Sequence, residues 1–179
     1  MLTGTPYASY AYSYPHKMAY LPFSSLRSLA DAWTTESKDA LFLYVHIPFC
    51  EMRCGFCNLF TTANPAQSVE SQYLAALKRE AERVRISVGP ANIVRMAVGG
   101  GTPTYLSVDD LNQLFDIAEN VFEADLAAIP ISVETSPRTG EREKLRTLRD
   151  RGVTRVSIGV QSFVDTEVTG WGAPRATFW

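Results

Sequence analysis

The chain has 179 residues, of which 46% are hydrophobic and 20% charged, and its formal net charge is −2. That length suits one domain with a real core, and the near-balanced charge gives no electrostatic basis for gripping nucleic acid or an anionic membrane. No uninterrupted apolar stretch is long enough to span a bilayer, and the start, Met1-Leu2-Thr3-Gly4, lacks the basic and apolar regions of a signal peptide, so a cytoplasmic, reducing setting is expected.

Residues 1–40 differ from the rest: "TPYASYAYSYPHKMAYLPF" is rich in tyrosine and proline with no steady period, and reads as an N-terminal extension. "LFLYVHI" (41–47) is a continuous apolar, β-rich run ended by Pro48, which suits a buried strand. Residues 67–88 predict an amphipathic helix with Val69, Tyr73, Leu74, Leu77, Ala81 and Val84 on its apolar stripe. "IVRMAV" (93–98) predicts a second strand. Ser107 then opens a helix with Asp110 in its first turn and Leu111, Leu114, Phe115, Ala118 and Phe122 inward. "IPISVE" (129–134) predicts a third strand, Thr139 to Arg151 a short charged helix with Leu145 and Leu148 inward and Gly152 as its stop, and "TRVSIGV" (154–160) a fourth strand.

Strands that alternate with helices and are apolar on both faces indicate an α/β fold with a parallel sheet and right-handed crossovers. Ligands in such sheets sit beyond the carboxyl ends of the strands. The first strand leads into Cys50, Cys54 and Cys57, which are all the cysteines of the chain, spaced C-x3-C-x2-C. The second ends in "GGGTPTYL" (99–106), the third places Glu134 at its mouth, and the fourth Gln161.

Three clustered thiols suit a shared metal better than a disulfide. A cubane iron–sulfur cluster held by three cysteines would leave one iron open, as a catalytic centre needs. The rival is zinc, with His46 as the fourth ligand of a Cys3His set; His46 can equally be a strand histidine bonded to backbone. Gly99, Gly100 and Gly101 let a ligand approach without Cβ obstruction and offer it free backbone groups, although a triple glycine is usually just a turn. Glu134 and Gln161 read as polar ligand contacts or as caps of neighbouring loops.

Together these residues resemble the radical S-adenosylmethionine superfamily. The cysteine loop is its signature, with Phe56 in the aromatic position before the last cysteine. "YVHIPFCEMRCGFC", "GGGTPTYL", the E-x-x-P-R of Glu134 to Arg138 and "RVSIGVQSF" narrow the likeness to the oxygen-independent coproporphyrinogen III oxidase and heme-chaperone family. The resemblance favours the cluster over zinc. It implies a partial (β/α) barrel over residues 41–165, a 4Fe–4S cluster on Cys50, Cys54 and Cys57, and S-adenosylmethionine on its open iron, cleaved to a 5′-deoxyadenosyl radical. It also implies cofactor contacts from Tyr44, Phe56, Gly100, Gly101, Thr102, Glu134 and Gln161, a small-molecule substrate such as a tetrapyrrole, and an electron donor such as a flavodoxin or ferredoxin. Tyr44 can alternatively be a buried strand tyrosine.

Two positions depart from the family. Leu59 stands where the oxidase proper has a further cysteine, and Asn58 where the chaperone-like pattern has aspartate. Residues 166–179 are an atypical tail, read as the mark of a truncated or frameshifted product whose barrel is incomplete at the C-terminus. Three readings follow: a radical oxidoreductase, a heme-binding chaperone without oxidase activity, and an inactive fragment.

Overall fold

The computed structural model describes residues 21–22, 25–55, 57, 59–160 and 162–170. The tyrosine-rich residues 1–20, Phe56, Asn58, Gln161 and the tail 171–179 lie outside the described residues. A short helix, α1 (Leu29–Ala32), precedes strand β1 (Leu41–Ile47), so the expected extension contains a helical turn that the sequence reading did not assign. Strands β2 (Phe49–Cys50) and β3 (Thr62–Ala63) bracket the cysteine loop. The long helix α2 (Gln67–Val88), strand β4 (Ile93–Gly100), a 3-10 turn (Pro103–Tyr105) and helix α3 (Val108–Phe122) follow. Strand β5 (Ile131–Thr135), helix α4 (Arg142–Asp150), strand β6 (Arg155–Ile158) and helix α5 (Asp165–Gly170) complete the order.

Local chemistry explains the boundaries. The Ser107 hydroxyl accepts from Asp110 N at 3.1 Å and donates to the Asp110 carboxylate at 2.7 Å, capping α3 as the sequence predicts. Gly89, at φ +77°, ends α2, and Gly152, at φ +84°, lies just past α4, where a Cβ would stand 2.7 Å from Leu126 O. Helix α4 begins at Arg142 rather than Thr139. The Thr139 hydroxyl is drawn into a buried cluster of hydroxyls, which removes that residue from the helix. Helix α5 runs over the first residues of the segment read as an atypical tail.

Strands β1, β4, β5 and β6 form one parallel sheet in the order β1-β4-β5-β6. Register aligns Val45 with Val98 and Val98 with Val133, and this row faces the helices. There Ile47, Met96, Val98, Ile131 and Val133 pack with Leu74 of α2, Leu111, Leu114 and Phe115 of α3, and Leu148 of α4. A fully buried side chain of this kind contributes on the order of 1.5–3 kcal/mol. Leu145, expected inward, is exposed, as is Val69.

The opposite face corrects the expectation of strands apolar on both sides. Tyr44 aligns with Ala97 and Ala97 with Ser132, while His46 aligns with Gly99 and Glu134 with Ser157. These rows are polar or small, and Tyr44 is 51% exposed, not a buried strand tyrosine. A parallel sheet covered by helices on one face and polar on the other has the layout of a partial (β/α) barrel, with the polar face as its interior.

Candidate functional site

Polar groups gather at the carboxyl ends of the strands because each strand there gives way to glycine, proline or cysteine. Pro48 interrupts β1, and the chain continues as β2, which pairs in parallel with β3. Thr62 N donates to Pro48 O at 2.6 Å and Asn64 N to Cys50 O at 2.8 Å, so the loop from 51 to 61 is closed at its neck. Phe49, 2% exposed, plugs that neck edge-on against Tyr73 and tilted against Tyr105. Inside the loop, Cys57 N donates to Cys54 O at 3.0 Å.

A cavity of about 350 Å³ opens at this end, and Cys50, Cys54, Cys57, Gly100, Gly101, Thr102 and Glu134 all line it. Seven of the residues proposed from sequence therefore share one wall. Tyr44 stands one row behind. Its hydroxyl lies 3.2 Å from His46 Nδ1, and a Cβ on Gly99 would meet that hydroxyl at 3.3 Å and Glu134 Oε2 at 2.9 Å.

The glycines keep the cavity open. A Cβ at Gly101 would stand 2.6 Å from Phe49 O and 2.8 Å from Cys50 Sγ. One at Gly100, where φ is +114°, would enter the His46 ring at 2.6–2.8 Å. The expectation of free backbone groups needs correction for the N–H groups. Gly100 N donates to Glu134 Oε2 at 3.2 Å, Gly101 N to Ile47 O at 2.7 Å and Thr102 N to Phe49 O at 2.7 Å. What the segment offers a ligand is the space of absent side chains.

His46 is not arranged as a zinc ligand. Nε2 donates to Phe60 O at 3.2 Å and Nδ1 accepts from the Tyr44 hydroxyl, so both ring nitrogens are engaged. Among the described residues no group of three or more His, Cys, Asp or Glu is placed to hold a metal ion. In a cubane each cysteine binds a different iron, so its sulfurs need not converge on one point. The donor set fits the cluster in two respects. All three thiols are free and half-buried on one cavity wall, and Gly101 leaves room beside Cys50.

Burial pushes the Cys50 thiol up from its ordinary value; the Thr102 hydroxyl, 3.7 Å from Sγ, opposes this, and Cys57 and Glu51 add to the rise. Cys54 is raised by burial and then by Cys57 and Cys50. Burial also raises the Tyr44 phenol, with Glu134 adding to it. An ion pair between Arg138 and Glu51, at 3.4 Å, links the cysteine loop to the segment after β5. Exposed as Arg138 is, such a pair is worth about 0–1 kcal/mol.

Several residues on the same wall were not singled out from sequence: Glu51, Met52, Thr61, Thr135, Ser136 and Ser157. Thr61 Oγ1 is a buried side-chain oxygen without a partner among the described residues. Thr104, Thr135 and Thr139 form a buried hydroxyl cluster that ties the segment after β4 to the segment after β5. A threonine in a turn or at a strand end carries no sequence signal for burial, which is why they escaped notice.

A parallel half-barrel with three thiols, a glycine segment and a carboxylate around one cavity defines the class: the chain belongs to the radical SAM superfamily, whose family profile matches residues 44–177. Within it the chain is similar to oxygen-independent coproporphyrinogen III oxidase of Escherichia coli, at 34% identity over 152 residues, 84% of this chain and 33% of that protein. It is also similar to the heme chaperone HemW of Bacillus subtilis, at 37% identity over 122 residues, 68% of this chain and 32% of that protein. The solved structure of coproporphyrinogen III oxidase (HemN) from Escherichia coli superposes with a TM-score of 0.82 at 29% identity, over 93% of this chain and 38% of that one. The chain thus spans about a third of the length of the curated relatives it matches, and its fold is part of the HemN radical SAM fold.

Proposed function

We propose that this chain is the cofactor-binding portion of a radical oxidoreductase of the coproporphyrinogen III oxidase type. The observation that carries the reading is the meeting of Cys50, Cys54 and Cys57 with Gly100, Gly101, Thr102 and Glu134 around one cavity. Cys50, Cys54 and Cys57 would hold a 4Fe–4S cluster, leaving one iron without a thiolate for the amino and carboxylate groups of S-adenosylmethionine. Held by these cysteines, such a cluster would supply the single electron for reductive cleavage of the sulfonium C–S bond, and so the means to remove a hydrogen atom from a substrate.

The chain's own residues have defined tasks in this reading. Glu134 offers a carboxylate to the ammonium of S-adenosylmethionine. Gly100 and Gly101 keep side chains out of the space the cofactor would fill. Thr102 donates from its hydroxyl to the Cys50 sulfur, favouring the thiolate form and tuning a bound cluster. Tyr44 stands behind Glu134, and Phe56 and Gln161 complete the contact set by resemblance alone. Met52 and Leu59 add apolar groups to the cavity lining. The electron would come from a carrier such as a flavodoxin or ferredoxin, and three free thiols fit a reducing, cytoplasmic setting.

The substrate would be a tetrapyrrole, by likeness to the oxidases. A second reading, heme carriage without oxidation, draws on the likeness to HemW and on Leu59, which replaces a cysteine of the oxidase pattern. The test is anaerobic reconstitution with iron and sulfide, followed by electron paramagnetic resonance with and without S-adenosylmethionine. A four-iron signal perturbed by S-adenosylmethionine is expected; tightly bound zinc and no cluster would overturn the proposal. Coproporphyrinogen decarboxylation by the full-length parent then separates oxidase from carrier.

A further inference from the structure

The buried hydroxyls beneath the cavity form a directed chain. Thr104, fully buried, places Oγ1 within 2.6 Å of both Thr135 Oγ1 and Thr139 Oγ1. Thr135 Oγ1 also lies 3.2 Å from Ser136 O, and Thr139 Oγ1 lies 2.9 Å from Ser136 Oγ. Ser136 O can only accept, so Thr135 donates to it. A hydroxyl has one hydrogen, so Thr135 must accept from Thr104, Thr104 from Thr139, and Thr139 from Ser136. Thr139 N donates to Ser136 Oγ and closes the series. This is the one assignment that satisfies every contact.

The chain joins two segments that carry the cofactor contacts. Thr104 follows Gly99–Thr102 by two residues, and Lys144 Nζ of α4 holds its carbonyl at 2.9 Å. Thr135 follows Glu134 directly. A second bridge between the same segments, Gly100 N to Glu134 Oε2, runs at the cavity wall. A ligand ammonium competing for Glu134 would weaken that outer bridge, whereas the other is anchored on Thr104, which is fully buried and does not line the cavity.

We propose that Thr104 is a positioning residue: through Thr135 and Thr139 it holds Gly100–Thr102 in register with Glu134 when a cationic amine ligand occupies that carboxylate. The inference rests on the reading of the cavity as the S-adenosylmethionine site.

The test uses Thr104→Val, which keeps the shape and removes the hydroxyl, with Thr104→Ser as the rescuing variant. After cluster reconstitution, the dissociation constant for S-adenosylmethionine should rise about tenfold in Thr104→Val and return close to wild type in Thr104→Ser. Iron per chain should stay unchanged in both. In the cluster-free chain, amide exchange should accelerate at 99–106 and 134–140 in Thr104→Val and not in α2 or α3. Should Thr104→Val fail to fold, Thr139→Val, which removes the donor to Thr104, takes its place with the same expectations. Unchanged affinity, or exchange and iron loss spread over the whole chain, would overturn the proposal. Wild-type protein that loads a cluster but does not bind S-adenosylmethionine would instead overturn the reading of the site.

Discussion

Gly101 faces Cys50 so closely that a Cβ on the glycine would stand 2.8 Å from the cysteine Sγ and 2.6 Å from Phe49 O. The second contact is with backbone held by Thr102 N, so it cannot swing aside as a flexible side chain would. Gly101→Ala should therefore displace Cys50 and lower the iron and sulfide retained per chain several-fold after reconstitution. Gly170→Ala, at a position with nothing within 4 Å of the added carbon, should leave the content unchanged. Equal loading of both variants would refute the account.

Gly100 meets a different obstacle. At φ +114° a non-glycine residue carries backbone strain of about 1–3 kcal/mol, and an alanine methyl would also enter the His46 imidazole. Gly100→Ala should lower stability by at least that strain, read as a shift in the urea midpoint. Adding His46→Ala should recover the steric part and leave the strain. A double-mutant cycle with no coupling between the two positions would show that the ring moves aside at no cost.

How much of this was legible in the sequence depends on the kind of signal. Helices α2 and α3 follow from an uninterrupted 3.6-residue period, and α3 also carries its Ser107 cap. The cysteines, glycines and Glu134 were visible because they fall together at the carboxyl ends of successive predicted strands, where a parallel sheet holds its ligands. The mini-sheet of β2 and β3 was not visible: two residues on each side give no period to read, and the pairing depends on the loop's return. The polar interior face escaped because Tyr44, His46 and Ser132 are interleaved with strongly apolar neighbours. Only register shows that they share a face. Thr104, Thr135 and Thr139 escaped because their meeting is a tertiary contact between the 3-10 turn after β4 and the end of β5 with the segment beyond it.

The engagement of both His46 ring nitrogens separates two metal chemistries. If a cluster on the three cysteines is what the site holds, His46→Ala should leave iron per chain close to wild type. Cys50→Ala, Cys54→Ala and Cys57→Ala should each abolish retained iron. A zinc site would respond differently, losing metal with the imidazole as well as with the thiols. Elemental analysis of the four variants decides between them.

Removal of the Glu134 charge should act on the ligand and spare the cluster. Glu134→Gln keeps the volume and an oxygen that can accept from Gly100 N, so the outer bridge survives while the carboxylate charge is lost. A hydrogen bond to a charged partner is worth about 1.5–3 kcal/mol, so affinity for S-adenosylmethionine should fall by roughly one to two orders of magnitude. Iron content should not change. Binding titrated through the cluster's resonance signal measures this, and an unchanged dissociation constant would remove Glu134 from the site.

Phe49 couples the stability of the fold to the geometry of the cysteine loop. Its ring is buried against Tyr73 and Tyr105, while its backbone adjoins Cys50, pairs with Thr62 and accepts from Thr102 N. Phe49→Ala should cost about 3–5 kcal/mol through lost burial and the cavity left behind, visible as a lower urea midpoint. Phe49→Leu fills most of that volume and should cost less, yet it loses the edge-on contact with Tyr73. Because the loop is closed by the carbonyls of Pro48 and Cys50 on either side of this residue, cluster retention should fall in the order wild type, Phe49→Leu, Phe49→Ala. A variant that lost stability while keeping full iron content would show that the neck of the loop is held by its backbone pairing alone, independent of the aromatic plug.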